Sequence, residues 1–162
     1  VTLLYRAVKQ LSHDHSILLV RTGAGVAIDV PAVPMLDLGV IPRAEIPGIL
    51  AAADLFVQPG RPGPFDNYRF PSKIPEMAIT GRPLICPDIP CLAGFRDGEE
   101  VLKWDLGDAD AICEAVKEVI STAGLPEKLS AGSVRAAPRE CDPAMTVPKL
   151  ADFYSSILDS GK

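Results

Sequence analysis

Apolar residues along this chain follow two patterns, short continuous runs and helical spacing, and the two alternate. Runs of strand length, rich in Ile, Leu and Val, lie at residues 16–20, 33–40, 53–58, 83–86 and 101–104. Apolar residues three and four positions apart lie at 3–11, 42–53, 108–122, 126–139 and 145–158. Because strands and helices alternate with short connections, the pattern predicts a three-layer, Rossmann-like α/β domain with a mostly parallel sheet of about five strands and helices on both faces.

A further short helix is predicted within residues 70–83. Pro71 or Ser72 stands where this helix would begin, and Pro75 still lies in its first turn, where the missing N–H of proline costs little. Gly81 can end the helix in the left-handed conformation. We therefore expect a helix of about two and a half turns between two strands.

Three polar residues lie within one turn of the start of this helix, namely Ser72, Lys73 and Glu76. A helix that connects parallel strands begins at the carboxyl edge of the sheet, where open α/β folds bind ligands. A hydroxyl and an ammonium group suit phosphate oxygens, and a carboxylate suits sugar hydroxyls, so a nucleotide or sugar-phosphate site is one interpretation. The other is a solvent-exposed Lys–Glu pair on an ordinary crossover helix.

The loops before this helix supply further candidates. Residues 59–69 are rich in Pro and Gly and have no period, so we expect a loop without helix that carries binding residues. Its polar candidates are Asp66, Tyr68 and Arg69, each of which could instead be merely exposed. Gly23, after the first strand, either lines a ligand or simply turns the chain, because the Gly-x-Gly there is a weak signal for dinucleotide binding.

Composition favours one small-molecule-binding domain. The chain has 162 residues, 48% of them hydrophobic, which suffices for one core and is short for two domains. The formal net charge is −5 and no run of Lys or Arg occurs, so we expect no nucleic-acid partner. Val1 opens the chain inside a helical pattern, from which we expect a fragment whose missing part is N-terminal.

The cysteines and histidines predict neither a metal site nor a disulfide framework. Cys86, Cys91, Cys113 and Cys141 form no Cys-x-x-Cys pair and have no His pair nearby. Reduced thiols in a cytoplasmic protein are therefore expected. No apolar run approaches the ~20 residues that a bilayer span requires.

Two stretches of the sequence resemble a known family. The run 38–59, which begins Leu-Gly-Val-Ile-Pro, precedes the pattern Pro-Ser-Lys-x-x-Glu-x-Ala-x-x-Gly-x-Pro at 71–83. In this order they resemble the C-terminal, donor-binding domain of group 1 (family 4) retaining glycosyltransferases, which have the two-domain GT-B architecture. The resemblance covers roughly residues 18–123, and the second pattern is its more specific part.

The resemblance implies roles for two positions of the family's Glu-x7-Glu motif. Its second Glu, which holds the ribose hydroxyls of the nucleotide sugar, corresponds to Glu76. Its first Glu falls at Tyr68, so this chain departs from the motif at the contact to the transferred sugar. Tyr68 and the adjacent Arg69 remain donor-binding candidates.

Further donor-binding positions follow from the same resemblance. The turn that receives the nucleotide base corresponds to Ile41 and Arg43, and the glycine that follows the first strand corresponds to Gly23. Backbone N–H groups near Ser72 and Lys73 correspond to those that bind the diphosphate leaving group. The family also uses an Arg and a Lys before the second strand of this domain, and this chain has no region where they fit.

The function implied is transfer of a hexosyl group from a nucleotide-diphosphate sugar to an acceptor hydroxyl, with retained configuration and without a metal or other cofactor, as in carbohydrate biosynthesis. Residues 1–162 would form a single nucleotide-sugar-binding domain that lacks the N-terminal acceptor domain and is inactive alone. The complete protein would be cytoplasmic, or peripheral to the membrane through the missing domain. Alternatives are a non-catalytic nucleotide- or phosphate-binding α/β module and a sugar-nucleotide 2-epimerase.

The last predicted helix has an apolar stripe that includes Phe153, Tyr154 and Ile157. In GT-B folds the final helix often packs on the other domain. We therefore expect this helix either to fold back onto its own domain or to mediate a dimer that results from excision.

Overall fold

The computed structural model of the protein describes residues 2–25, 32–106 and 108–160. Within them the chain forms seven α-helices and five β-strands, with 3₁₀ turns at Arg43–Glu45 and Pro90–Leu92. The elements in chain order are α1 (Thr2–Leu11), β1 (Leu19–Arg21), β2 (Met35–Asp37), α2 (Ile46–Ala52), β3 (Phe56–Val57), α3 (Pro64–Tyr68), α4 (Ile74–Ala78), β4 (Leu84–Pro87), β5 (Leu102–Trp104), α5 (Ala109–Ser121), α6 (Leu125–Cys141) and α7 (Pro143–Ser160).

The named strands pair in parallel, as predicted, but they form two sheets rather than one. β1 pairs with β2, and β4 lies between β3 and β5. β3 has only two residues, and the N–H groups of Phe56 and Gln58 donate to the carbonyls of Pro83 and Ile85 on the β4 side. Alternate residues of a strand direct their backbone groups to opposite edges, so Val57 alone is left to face the other edge.

Two cores lie on opposite faces of the three-stranded sheet, which confirms the predicted layers of helix, sheet and helix. Successive side chains of a strand point to opposite faces. In β4, Ile85 packs with α1 and α5, whereas Leu84 and Cys86 pack with α4 and α6. The side chains of Leu102 and Trp104 from β5 join the first of these cores.

The segment 59–69, predicted to contain no helix, contains α3, so that prediction is wrong. Gly63, whose φ is 141°, precedes the helix, and Pro64 occupies its first position, where the fixed φ of proline favours helix. The Asp66 carboxylate accepts the backbone N–H of Arg61 at 2.8 Å and ties the preceding loop to α3.

Helix α6 packs against α4 and forms a hydrogen bond to it. Ser133 is fully buried, and its hydroxyl lies 3.2 Å from the Ala78 carbonyl of α4 and 3.0 Å from the Ser130 carbonyl of its own helix. Next to it, Gly132 is buried against the backbone of Glu99 and Glu100. α6 therefore connects the motif helix to the loop before β5.

All four cysteines are free thiols, and burial raises the pKa of the Cys86 thiol to about 12. Across the three described ranges, no helix has the combination of length and apolar character that crossing a membrane requires.

Helix α7 follows α6, and the apolar side chains of α7 are not buried against the rest of the domain. Every side chain described for it is exposed, including Phe153 at 57% and Leu158 at 73%. The structure therefore contradicts one of the two alternatives expected from the sequence, namely that this helix folds back onto its own domain. The dimer stays a prediction.

We expect the 162-residue chain to dimerise through α7 with increasing concentration, because exposed apolar patches favour association. Sedimentation velocity should show a dimer that Phe153→Ser weakens. Phe65→Ser is a matched control, because Phe65 is also 57% exposed but lies in α3. Equal dimerisation of the Phe153→Ser variant and the unmodified chain would contradict this prediction.

Candidate functional site

A pocket of about 360 Å³ lies between α2 and α4. Its two charged residues are Arg43, from the 3₁₀ turn before α2, and Glu76, in the first turn of α4. The remaining lining residues are Ile46, Pro47, Leu50, Ala51 and Thr80. The pocket therefore has a mainly apolar wall with a guanidinium and a carboxylate.

The turn after β2 positions Arg43. Gly39 has a φ of 60°, its N–H donates to the Asp37 carboxylate at 3.0 Å, and its carbonyl accepts the N–H of Gly23 at 2.7 Å. The loops after β1 and β2 are thereby tied together at the carboxyl ends of these strands. Pro42 then begins the 3₁₀ turn, and its carbonyl accepts the N–H of Glu45 at 2.9 Å.

Glu76 is held by a helix that is shorter than the predicted two and a half turns, since α4 has five residues. The chain enters it through a turn in which Ile74 donates to the Pro71 carbonyl at 3.0 Å. The exit is tight because the backbone N–H and the hydroxyl of Thr80 both approach the Met77 carbonyl, at 3.1 Å and 2.6 Å. Gly81 follows with a φ of 71°, which confirms the predicted left-handed end.

The Glu76 carboxylate forms an ion pair with Lys73, with 3.2 Å between Oε2 and Nζ. Both side chains are about half exposed, and ion pairs in such positions contribute only about 0–1 kcal/mol. The Lys73–Glu76 ion pair expected for an ordinary surface helix is therefore present, and its carboxylate also lines the pocket. A ligand can displace Lys73 at little energetic cost.

The other predicted site residues lie outside the lining of this pocket. Ser72 is exposed, Ile41 is half-buried, and Tyr68 is 83% exposed. Arg69 lies over the ring of Phe65 in α3. Gly23, which has a φ of 113° and nothing within 4 Å of an added Cβ, joins two loops through its bond to Gly39.

The residues that sequence reasoning missed are those of the apolar wall. Ile46 and Leu50 are four residues apart and were expected to belong to the apolar stripe of a helix packed on the core. Leu50 does pack partly against the core, but both residues also line the pocket. Thr80 lies inside the motif, and its part in the wall has no signal in the sequence.

This arrangement can bind a small molecule that has one apolar face and several polar groups. Its volume falls within the ~300–1,000 Å³ usual for ligand sites. A carboxylate accepts hydrogen bonds from sugar hydroxyls, and a guanidinium donates them to carbonyl or phosphate oxygens.

No protein-family model matches the chain, and no curated protein matches it in sequence. Solved structures match it in fold. HepE from Anabaena, in complex with UDP-glucose, superposes with a TM-score of 0.74 and 16% identity over 96% of this chain. Sucrose-phosphate synthase from Thermosynechococcus elongatus superposes with a TM-score of 0.69 and 14% identity over 98% of this chain. The C-terminal domain of a group 1 glycosyltransferase from Francisella tularensis superposes with a TM-score of 0.55 and 18% identity over 67% of this chain.

The chain covers only part of each of these proteins, 44% of HepE, 42% of the synthase and 54% of the Francisella domain. At these identities the likeness concerns the fold. The chain has the Rossmann-like fold of the C-terminal domain of GT-B glycosyltransferases, as the sequence resemblance implied.

Proposed function

We propose that this chain is the donor-binding part of a glycosyltransferase that moves a hexosyl group from a nucleotide-diphosphate sugar to an acceptor hydroxyl with retained configuration. The observation that carries the proposal is the pocket shared by Arg43 and Glu76, two residues 33 positions apart in the sequence, in a GT-B fold. HepE, a structural neighbour, was solved with UDP-glucose and with UDP, which supports a nucleotide sugar as the ligand.

In this proposal the nucleoside occupies the pocket. The Glu76 carboxylate accepts hydrogen bonds from the ribose hydroxyls, and Ile46 and Leu50 cover the apolar face of the base. Arg43 donates to a carbonyl oxygen of the base, beside the backbone groups of Ile41. Lys73, released from its ion pair with Glu76, becomes available to the phosphates.

Charge develops on the diphosphate as the sugar leaves, and preorganised donors lower the energy of that state. The proposed donors are backbone N–H groups near Ser72, with Lys73. The helix that follows is short, so individual N–H groups rather than a macrodipole would do this. We expect no requirement for a metal ion, and the acceptor would be bound by a further, N-terminal domain.

Replacing Glu76 by Gln should weaken binding of a nucleoside diphosphate by about 1.5–3 kcal/mol, the range for a hydrogen bond to a charged group. The measurement is titration of the 162-residue chain with UDP, GDP and ADP, followed by NMR. Glu45→Gln is the matched control, because Glu45 is exposed and lies beside Arg43 but outside the pocket lining. Unchanged affinity of the Glu76→Gln variant would count against the assignment.

Turnover by the complete protein separates the proposed reaction from its two alternatives. Release of nucleoside diphosphate only in the presence of an acceptor indicates a transferase. A changed configuration of the sugar nucleotide indicates a 2-epimerase. Binding without turnover indicates a non-catalytic module.

A further inference from the structure

Helix α2 forms one wall of the pocket, yet it is only weakly attached to the rest of the domain. None of its residues is fully buried, and Ala51 and Ala52 at its end are exposed. Leu50 and the following Ala53 pack partly against the core that contains α4. Segments with few buried apolar contacts open locally at a low cost in free energy. Any further attachment of α2 therefore has a large influence on the shape of the pocket.

Arg82 provides such an attachment from the segment that follows α4. Its guanidinium donates a hydrogen bond from Nη2 to the carbonyl oxygen of Ala51 at 3.1 Å. Ala51 lies in the last turn of α2, where carbonyl groups have no partner within the helix and an arginine side chain can satisfy them. Ala51 and Thr80, which lies two residues before Arg82, both line the pocket. The bond therefore links the two segments that form the walls of the pocket.

The backbone around Arg82 is fixed on both sides. Gly81 precedes it in the left-handed conformation, with a φ of 71°. Pro83 follows it, is buried, and accepts the N–H of Phe56 in β3 at 3.0 Å through its carbonyl. The residue before a proline is itself restricted to extended conformations. The Arg82 side chain therefore starts from a base that is part of the sheet, and it can hold α2 at a defined place.

The strength of this bond decides what it can do. Arg82 is exposed and has no carboxylate partner among the residues that the structure describes. Water competes for its N–H groups, so the bond contributes little to the stability of the whole domain. It is nevertheless large relative to the free energy that holds an element such as α2 in place. Its loss should therefore loosen α2 while the rest of the domain stays folded.

We propose that Arg82 is a positioning residue for the nucleotide pocket, one that ties α2 to the end of the α4 segment without touching the ligand. This inference rests on the proposed function and deepens it. The 3₁₀ turn that carries Arg43 runs directly into α2, and Ile46 is the first residue of that helix. Fixing α2 therefore fixes the guanidinium and the apolar wall relative to Glu76.

Amide hydrogen exchange of the 162-residue chain, measured without ligand, tests the tie itself. Arg82→Met removes the donors but keeps an apolar side chain of similar length. It should speed the exchange of the amides of residues 50–53 about threefold or more and leave the exchange of α5 unchanged. Arg82→Lys keeps the charge and a donor, so it should restore most of the protection.

Titration with UDP, GDP and ADP tests the effect of the tie on the pocket. Arg82→Met should weaken the binding of whichever of them the chain binds most tightly about threefold or more, because an untied α2 spends part of its time in positions that cannot bind. Arg135→Met is the matched control, because Arg135 is exposed on α6 and has no ion pair among the described residues. It should leave both the affinity and the exchange of α2 unchanged, and an equal effect of Arg135→Met would overturn the proposal in favour of general charge attraction.

The positioning role and the proposed function can fail separately. Nucleotide binding that Glu76→Gln weakens and Arg82→Met leaves intact keeps the function and overturns the positioning role. Faster exchange of α2 in Arg82→Met, in a chain that binds none of the three nucleotides, supports the tie and counts against the function. Weaker binding by Arg82→Met with unchanged exchange of α2 overturns the positioning role in favour of direct contact between Arg82 and the ligand.

Discussion

Replacing Gly132 by Ala should destabilise the domain by about 3 kcal/mol, the upper part of the usual range for overpacking a core. A Cβ at this position would lie 2.7 Å from the Cα of Glu100 and 2.8 Å from the carbonyl carbon of Glu99. Both are backbone atoms, which cannot rotate out of the way. The helix or the loop must therefore move, although Ala is favoured over Gly in a helix by about 1 kcal/mol.

The matched control for this variant is Gly48→Ala. Gly48 is also helical, in α2, but an added Cβ has nothing within 4 Å. It should therefore be neutral or stabilise the domain by up to about 1 kcal/mol, the helix-propensity gain. Urea unfolding of the two variants measures the difference. Similar midpoints for both would mean that the contact between α6 and residues 99–100 can be relieved at little cost.

This contact bears on the candidate site, because α6 also supports α4. The helix that presents Gly132 to the loop presents Ser133 to the carbonyl of Ala78, which lies two residues after Glu76 in α4. A shift of α6 would therefore remove a hydrogen bond from the short helix that carries the pocket carboxylate. The site depends on an element that contributes no residue to the pocket lining.

Much of the fold was predictable because it depends on local signals. The alternation of apolar runs with helical spacing predicted the α/β layers, and Gly81 predicted the end of the motif helix. α3 was missed because Gly63 and Pro64 favour a loop in a sequence reading, although proline at the first helical position also favours a helix start. The same residues carry both signals, and in the structure α3 packs against the Pro90–Leu92 turn.

The candidate site was predictable only in part. Glu76 was singled out by its position at the start of the motif helix, Arg43 was singled out by the resemblance, and the structure brings both to one pocket. The apolar wall of the pocket was not predictable. An apolar stripe indicates which face of a helix is hydrophobic, but it does not indicate whether another element covers that face. Arg61 and Arg69 both lie over the ring of Phe65. This arrangement was likewise not predictable, because it depends on α3, which lies between the two arginines and was not predicted.

A buried carboxylate was also beyond prediction from the sequence. Glu100 lies 39 positions before its partner Arg139, and the sequence pattern there suggests only a polar turn. In the structure the Glu100 side chain is completely buried, with Arg139 Nη2 2.8 Å and Arg96 Nη2 2.6 Å from its oxygens. The backbone N–H of Arg96 donates to it at 3.0 Å. It joins the loop before β5 to α6, beside Gly132.

Replacing Glu100 by Gln should lower the free energy of unfolding at pH 7 by about 3 kcal/mol, because the charge-assisted bonds from both arginines are lost in a buried place. The hydrogen bond from Arg139 is the main reason that the pKa of Glu100 is lowered from 4.5 to about 2, with the backbone N–H of Arg96 adding to it against the effect of burial. That difference corresponds to about 3 kcal/mol in favour of the ionised form in the folded state.

The sign of the pH dependence follows. The folded pKa lies below the unfolded one, so this stabilisation is fully present above about pH 5 and is lost as the pH falls towards 2. Urea unfolding from pH 7 to pH 2.5 should show the loss in the unmodified chain and a much flatter profile for Glu100→Gln. Glu118→Gln is the control, because Glu118 is exposed on α5 and has no ion pair among the described residues, so its profile should keep the full slope. If Glu100→Gln retained that slope as well, other carboxylates would account for the acid sensitivity and the buried network would contribute little.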